Sequence, residues 1–299
     1  MEQSELIIIG SGPAGLSAAI YAARAGVKAQ VIGCRPKFAG DYEIDNYFGF
    51  PETISGRELL ERGIAQAERF GAVAVCEQVL GVHQEPDGTF LVKTEKRELR
   101  ACAVILATGV SRARPGIKNL AEYEGKGVSY CVSCDGFFHK GKPVLVLGEA
   151  LYAANQALEL KSYTPHVAVC TNGKPASFGP EFQKALEEAS IPIIPHKVAR
   201  LEGEGGLERV VFENGESRDA HGLFVAMGEA GAASFAMALG LERQGEFIAT
   251  DYEQKTNIPG VFAAGDCTGG FMQISVAVGE GAKAGHAAIN YIRDVCRKR

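Results

Sequence analysis

Glu5-Leu6-Ile7-Ile8-Ile9-Gly10-Ser11-Gly12-Pro13-Ala14-Gly15 is an apolar run that ends abruptly in three glycines spaced G-x-G-x-x-G. The run reads as a strand buried on both faces, and the stretch from Ala14 to Ala25, closed by Gly26, reads as the helix after it. Between a strand and a helix each glycine has a task. Gly10 permits the tight turn, Gly12 lets a pyrophosphate approach the backbone, and Gly15 lets helix and strand pack closely. Ser11, Pro13 and Ala14 complete the loop, and the helix N-terminus offers N–H groups and partial positive charge to phosphates. A merely glycine-rich turn is the plain alternative, and the flanking strand and helix argue against it. The second strand, Ala29-Gln30-Val31-Ile32, ends in Gly33-Cys34, where an acid usually binds ribose hydroxyls, so a dinucleotide is held there by other groups.

Downstream, residues 44–51 are rich in Asn, Tyr, Phe and Gly, and a helix is predicted over 55–70, with Ser55 and Glu58 at capping-box spacing. Alternating residues between Ala74 and Arg100, turning at Asp87-Gly88, predict antiparallel strands. Ala103-Val104-Ile105-Leu106 is another buried strand, running into Ala107-Thr108-Gly109. After Pro115 the plan restarts. A strand at 143–147 meets Gly148, followed by a helix over 150–160 and a strand over 166–170, so the two halves read as diverged copies of one nucleotide-binding plan.

The second copy departs from the first. Gly148-Glu149-Ala150-Leu151-Tyr152-Ala153 has alanine at the middle glycine position, where a methyl holds a pyrophosphate off the backbone, and the Glu149 carboxylate repels it. Thr171-Asn172-Gly173 lacks the arginines that clamp a 2′-phosphate. A domain retained as scaffold is an equal reading. Thr256–Asp266 leads to a final helix over 275–295 and needs a sheet partner, which the first domain supplies. The expected fold is α/β: two Rossmann-like nucleotide-binding domains of three-layer ββα form, the second inserted into the first. The expected boundaries are 1–113 plus 246–299, and 114–245, with hinges near 111–116 and 241–246.

Cys131-Val132-Ser133-Cys134-Asp135-Gly136 carries the chemistry. Two thiols three apart can cycle between dithiol and disulfide, and the acid after them is a proton source and sink, which exchange needs because only the thiolate attacks. A C-x-x-C can also be half of a zinc site. No second pair stands at ligand spacing, and the other cysteines are scattered singly, so no metal is expected. Cys76, Cys102, Cys170 and Cys296 read as small apolar fillers, Cys34 and Cys267 as neighbours of the cofactor site, and Gly136-Phe137-Phe138 as packing around the dithiol.

The 299 residues suit about two domains of ~150 residues. A net charge of −5 argues against nucleic acid as a partner, and no apolar run approaches the ~20 residues that span a bilayer. The N-terminus runs almost straight into a strand without a basic leader, which predicts a cytoplasmic protein whose isolated cysteines stay reduced.

Together, Gly10–Gly15, Ile44-Asp45-Asn46-Tyr47 through Pro51, Ala107-Thr108-Gly109, Cys131–Gly136 and Thr256–Asp266 resemble the low-molecular-weight thioredoxin reductase family of flavoproteins. The resemblance runs through nearly the whole chain in order and spacing. It implies FAD held by Gly10, Ser11, Gly12, Pro13, Ala14 and Gly15, by Asn46, Thr108 and Gly109, and by Gly265 and Asp266, with Met272-Gln273-Ile274 against the isoalloxazine. It also implies a homodimer in which the domains rotate to present the dithiol to flavin or to thioredoxin. Cys134 matches the flavin-facing sulfur, Cys131 the one that attacks thioredoxin, and Asp135 the proton donor. The altered second turn argues against NADPH and matches the ferredoxin-dependent flavin thioredoxin reductases, which take electrons singly. Ferredoxins are acidic, and Lys93, Lys96, Arg97 and Arg100, or residues 293–299, are the basic stretches open to one. Two other readings stand beside this: an NAD(P)H-dependent reductase of thioredoxin or another disulfide, and a non-enzymatic flavin redox sensor.

Overall fold

The computed structural model describes residues 2–34, 42–110 and 115–298. It divides into two compact units, Met1–Ser111 with Gly231–Arg299, and Arg112–Ala230.

The first unit begins with β1 (Glu2–Ile9), α1 (Pro13–Arg24) and β2 (Ala29–Ile32). Then come α2 (Gly56–Arg69), β3 (Val73–Val75), β4 (Val79–Gln84), β5 (Phe90–Thr94) and β6 (Glu98–Leu106). Ser55 caps α2 by accepting the Glu58 N–H at 3.1 Å. The Glu58 side chain bonds Arg62 one turn on, so only half of the capping box forms.

In the second unit, β7 (Val128–Ser129) and the single turn α3 (Val132–Asp135) precede β8 (Val144–Leu147), α4 (Leu151–Leu160) and β9 (Val167–Cys170). After α5 (Pro180–Glu188) and β10 (Ile193–Ile194), the strands β11 (Val198–Glu202), β12 (Arg209–Phe212) and β13 (Ser217–Asp219) form an antiparallel sheet. With β14 (Gly222–Val225) added, the main sheet of this unit is parallel throughout, in the order β10-β9-β8-β14-β7. Its inner strands β8, β9 and β14 are wholly buried, as apolar parallel strands covered on both faces must be.

The chain re-enters the first unit at Gly231, earlier than residue 246. The reason is α6 (Ala232–Leu239), whose Phe235, Ala236 and Leu239 are buried and which packs on β4. Residues 241–246 are accordingly no hinge: Arg243-Gln244 pairs with Phe247-Ile248 as a small hairpin inside the first unit. Of the other expected hinge, 111–114 lie outside the described residues. β15 (Val261–Ala263) and α7 (Ile274–Tyr291) complete the unit.

The sheet order of the first unit is β3-β2-β1-β6-β5-β4, and β6 is long enough to carry two partners on one edge. Its first half pairs antiparallel with β5 through Phe90 and Ala101, and its second half pairs parallel with β15 through Val104 and Val261. The ends of β1, β6 and β15 therefore lie side by side. Helices α1 and α7 pack closely through small residues, among them Ala14, Ala18, Ala277 and Ala284. A Cβ on Gly281 would strike the Ala14 carbonyl. The result is a mixed α/β fold with parallel sheets. No described helix is long and apolar enough to cross a membrane.

Candidate active site

Three loops leave the carboxyl ends of β1, β6 and β15, the edge where open α/β sheets bind ligands. Gly10 sits at φ 115°, and a Cβ there would collide with the Ala107 carbonyl. A Cβ on Gly15 would collide with the Gly10 carbonyl, so both glycines are demanded by close approach. Gly12 has an ordinary φ of −76° and caps α1 without a side-chain bond. Its lack of a side chain leaves the N–H edge of the helix open to a ligand, with Pro13 at the first helical position.

The Thr108 Oγ1 is buried and has no hydrogen-bond partner, next to the Gly10 turn. An orphaned hydroxyl in that position fits a polar ligand on the loop. Across from it, Gly265 is buried and donates its N–H to Glu280 Oε2 at 2.8 Å, while the Thr268 hydroxyl reaches the same oxygen at 3.1 Å. Glu280, on α7, thereby fixes the turn that carries half-buried Asp266. Asn46 Nδ2 donates to Gln273 Oε1 at 2.9 Å, joining two distant loops. Gln273 caps α7, and Ile274 opens it, where the first N–H groups have no intrahelical partner. Met272 is exposed. The open helix N-terminus and the orphaned Thr108 hydroxyl fit a polar, phosphate-bearing ligand on these loops.

In the second unit Cys131 and Cys134 form a disulfide with Cα atoms 5.4 Å apart. Cys131 is buried at 4% exposure and Cys134 is half-buried. The residue that organises them is Ser129, which the sequence reading passed over. Its hydroxyl donates to Asp135 Oδ2 at 2.6 Å and accepts the Cys131 N–H at 3.1 Å. Register with Phe224 on β14 fixes Ser129, and so the acid is held to the backbone of Cys131. The Ser133 hydroxyl lies 3.4 Å from Cys131 Sγ. Gly136 abuts the Tyr163 ring, where a Cβ would come within 2.8 Å. Seating Gly136 there turns Phe137 and Phe138 outward, 67% and 69% exposed. They do not pack around the dithiol as expected.

The second glycine turn is filled by the protein itself. A Cβ on Gly148 would collide with the Ala226 carbonyl, so that glycine serves packing. Glu149 forms an ion pair with Lys174, and its carbonyl accepts the Ser177 N–H at 2.7 Å, laying residues 174–177 along the turn. Asn172, at φ 54°, donates to the Pro115 carbonyl at 2.9 Å and accepts the Val198 N–H at 2.9 Å. Its side chain thus brackets the Pro115 and Val198 segments.

Residues 4–281 match the pyridine nucleotide-disulphide oxidoreductase family. The chain belongs to this family. It is an oxidoreductase with thioredoxin reductase homologues: the thioredoxin reductase of Peptoclostridium acidaminophilum is 34% identical over 96% of each chain. Among solved structures, the atypical thioredoxin reductase TRi from Desulfovibrio vulgaris Hildenborough is 63% identical, covers 98% of this chain and 99% of its own, and superposes with a TM-score of 0.96. A ferredoxin-flavin thioredoxin reductase from Clostridium acetobutylicum is 28% identical over 98% and 99% of the two chains, with a TM-score of 0.76.

Against this family background the remaining cysteines need correction. Cys34 bonds Cys76, and Cys102 bonds Cys296, so Cys76, Cys102 and Cys296 are not simple fillers. Cys34 and Cys76 follow the ends of paired strands β2 and β3, a proximity that no local sequence signal carries. Cys170 and Cys267 are free and buried. Burial pushes the Cys170 thiol up to about 11 and the Cys267 thiol up to about 12, which leaves neither as a nucleophile at neutral pH. Among the described residues no cluster of three or more His, Cys, Asp or Glu is placed to hold a metal ion.

Both basic stretches carry ion pairs. Arg97 pairs with Glu77, and Arg100 with Glu85 and Asp87. Toward the C-terminus Arg297 pairs with Glu5 and Lys298 with Asp294. Arg299 lies outside the described residues.

Proposed function

We propose that this chain is an FAD-dependent thioredoxin reductase whose electron donor is reduced ferredoxin rather than NADPH. The FAD is held by Gly10, Ser11, Gly12, Pro13, Ala14 and Gly15, with Asn46, Thr108, Gly109, Gly265, Asp266, Met272, Gln273 and Ile274 around it. Bound there, it supplies the conversion between single electrons and the electron pair that a disulfide needs. The protein does the rest. The Gly10–Gly15 loop neutralises phosphate charge, and Glu280 fixes the Asp266 turn. Cys134 receives electrons, Cys131 attacks the disulfide of thioredoxin, and Asp135 gives its proton to the departing sulfur. Since Cys131 is 4% exposed, attack on a protein substrate requires it to be uncovered. The domains 1–113 plus 246–299 and 114–245 belong to this reading with their ends moved to the observed unit boundaries. A cytoplasmic homodimer completes it, although the disulfides Cys34–Cys76 and Cys102–Cys296 remove unpaired thiols as an argument for that compartment.

One observation carries the choice of donor: Lys174, Glu149 and Ser177 occupy the turn where NADPH phosphates would lie. A second reading, an NADPH-dependent thioredoxin reductase, draws support from the family match and from the ion pairs that Arg97, Arg100, Arg297 and Lys298 make within the chain. An anaerobic titration separates them. Reduced ferredoxin bleaches the flavin within seconds and micromolar NADPH does not; rapid bleaching by NADPH, with none by ferredoxin, reverses the assignment. A flavoprotein that never turns over thioredoxin disulfide with any donor is a sensor rather than an enzyme.

A further inference from the structure

Two cysteines outside the dithiol close the sheet edge beside the dinucleotide loop. Cys34 follows the end of β2 and Cys76 the end of β3, and these ends are in register through Ile32 and Val75. Their disulfide spans Cα atoms 4.3 Å apart. Three hydrogen bonds seat this corner. Gly10 N–H donates to the Ile32 carbonyl at 2.8 Å, and Gly33 N–H donates to the Val75 carbonyl at 3.0 Å. The buried Ser11 hydroxyl donates to the Cys34 carbonyl at 2.7 Å. A Cβ on Gly33 would meet Ser11 N at 3.0 Å, so the strand end lies directly on the loop.

This corner is where related folds place a ribose-binding acid, and Gly33-Cys34 has none. A covalent tie between strand ends does part of that work by holding the loop in its binding geometry, since preorganisation lowers the cost of ligand binding. Exposure separates the two extra disulfides. Cys76 is exposed, whereas Cys102 and Cys296 are both half-buried. Access decides which sulfur an attacking thiolate reaches.

We propose that Cys34–Cys76 is a second thiol–disulfide exchange site, whose disulfide form clasps the adenosine-ribose end of the bound FAD and whose reduction by a thioredoxin-class dithiol loosens it. The proposal rests on the FAD and thioredoxin reading above. One thiolate of the dithiol attacks Cys76 Sγ, the Cys34–Cys76 bond breaks, and Cys34 leaves as a thiolate that takes a proton. The second thiolate of the dithiol then attacks its own sulfur in the mixed disulfide and frees Cys76. Two electrons pass, the clasp ends as two thiols, and the dithiol ends as a disulfide. Reduced thioredoxin, the product of the proposed reaction, is the reductant.

The test uses purified holoprotein: wild type, Cys34→Ser with Cys76→Ser, and Cys102→Ser with Cys296→Ser. Each is incubated anaerobically with or without reduced thioredoxin, and FAD dissociation is read by released-flavin fluorescence. Reduced wild type and the Cys34/Cys76 variant bind FAD about tenfold more weakly than oxidised wild type, and the Cys102/Cys296 variant behaves as wild type. Differential alkylation labels Cys34 and Cys76 at thioredoxin concentrations that leave Cys102 and Cys296 bonded. Should the Cys34/Cys76 variant fold poorly, Cys131→Ser with Cys134→Ser decides, since it lacks the other exchangeable pair: its FAD affinity falls on reduction and returns on reoxidation. Equal affinity in every state, or labelling of Cys102 and Cys296 first, overturns the clasp while leaving the cofactor reading intact. A wild type that binds no FAD overturns the cofactor reading and the clasp with it.

Discussion

Ser129 Oγ stands 2.6 Å from Asp135 Oδ2 and 3.1 Å from the Cys131 backbone nitrogen, so one hydroxyl ties the acid to the buried half of the redox pair. Proton transfer by a positioned acid supplies roughly 10²–10⁴-fold in rate, and part of that depends on where the carboxyl points. Ser129→Ala is therefore expected to lower kcat for thioredoxin reduction about tenfold with KM little changed. Ser129→Thr, which keeps the hydroxyl, restores most of the rate. A merely structural role would move stability and leave kcat alone, so thermal melting is measured beside the kinetics. Unchanged kcat in the alanine variant would sink the positioning role.

The site divides by how its residues are connected. Gly10–Gly15 was legible because strand, turn and helix are contiguous, and periodicity reports local structure. The dithiol was legible for the same reason. Ser129, Glu280 and the Cys34–Cys76 pair were not, since each acts through strand register or helix packing that joins distant parts of the chain. The counter-charges of the basic stretches were hidden for a related cause: Arg97 and Arg100 are positive in sequence, and the fold sets Glu77, Glu85 and Asp87 against them. Return of the chain at Gly231 was equally hidden, because only packing on β4 assigns α6 to the first unit.

Gly281→Ala tests how the two cofactor loops are held together. The new methyl would strike the Ala14 carbonyl, a backbone atom that cannot rotate away, and would push α7 off α1. Overpacking of this kind costs about 1–3 kcal/mol. At about 2–4 °C per kcal/mol the melting temperature falls by several degrees, and FAD retention weakens because Ala14 and Gly265 separate. Gly279→Ala, where a Cβ meets nothing within 4 Å, is the control. Equal melting temperatures for the two variants would refute the close-packing argument.

Free thiols should be silent in the native protein. Cys170 donates to the His196 carbonyl at 3.1 Å and Cys267 to the Ala264 carbonyl at 3.3 Å, both in buried surroundings that disfavour the thiolate. With the thiols pushed up to about 11 and about 12, native oxidised protein titrated with a thiol-specific reagent at neutral pH gives no reaction, and denatured protein gives both. Rapid labelling of either residue in the folded state would mean that the disulfides or the burial are wrong.

The last prediction concerns pH. Arg297 donates Nε and Nη2 to the two Glu5 oxygens at 2.7 and 3.1 Å, and Nη2 also reaches the Gly26 carbonyl at 3.0 Å. Beside Cys102–Cys296, this contact docks the C-terminal turn onto β1. The Arg297 hydrogen bond holds the Glu5 carboxyl below its ordinary range against partial desolvation, with the Lys28 N–H adding to the same direction. A carboxyl lowered by folding stabilises the native state above its unfolded pKa, and that contribution fades as pH falls through the folded value. Glu5→Gln should therefore melt lower than wild type at neutral pH, well above the ordinary glutamate value of about 4.3. The gap should close as the acid titrates, and added salt should narrow it at neutral pH because the pair is partly exposed. A gap that stays constant from neutral to acid pH would show that Glu5 acts by packing rather than by charge.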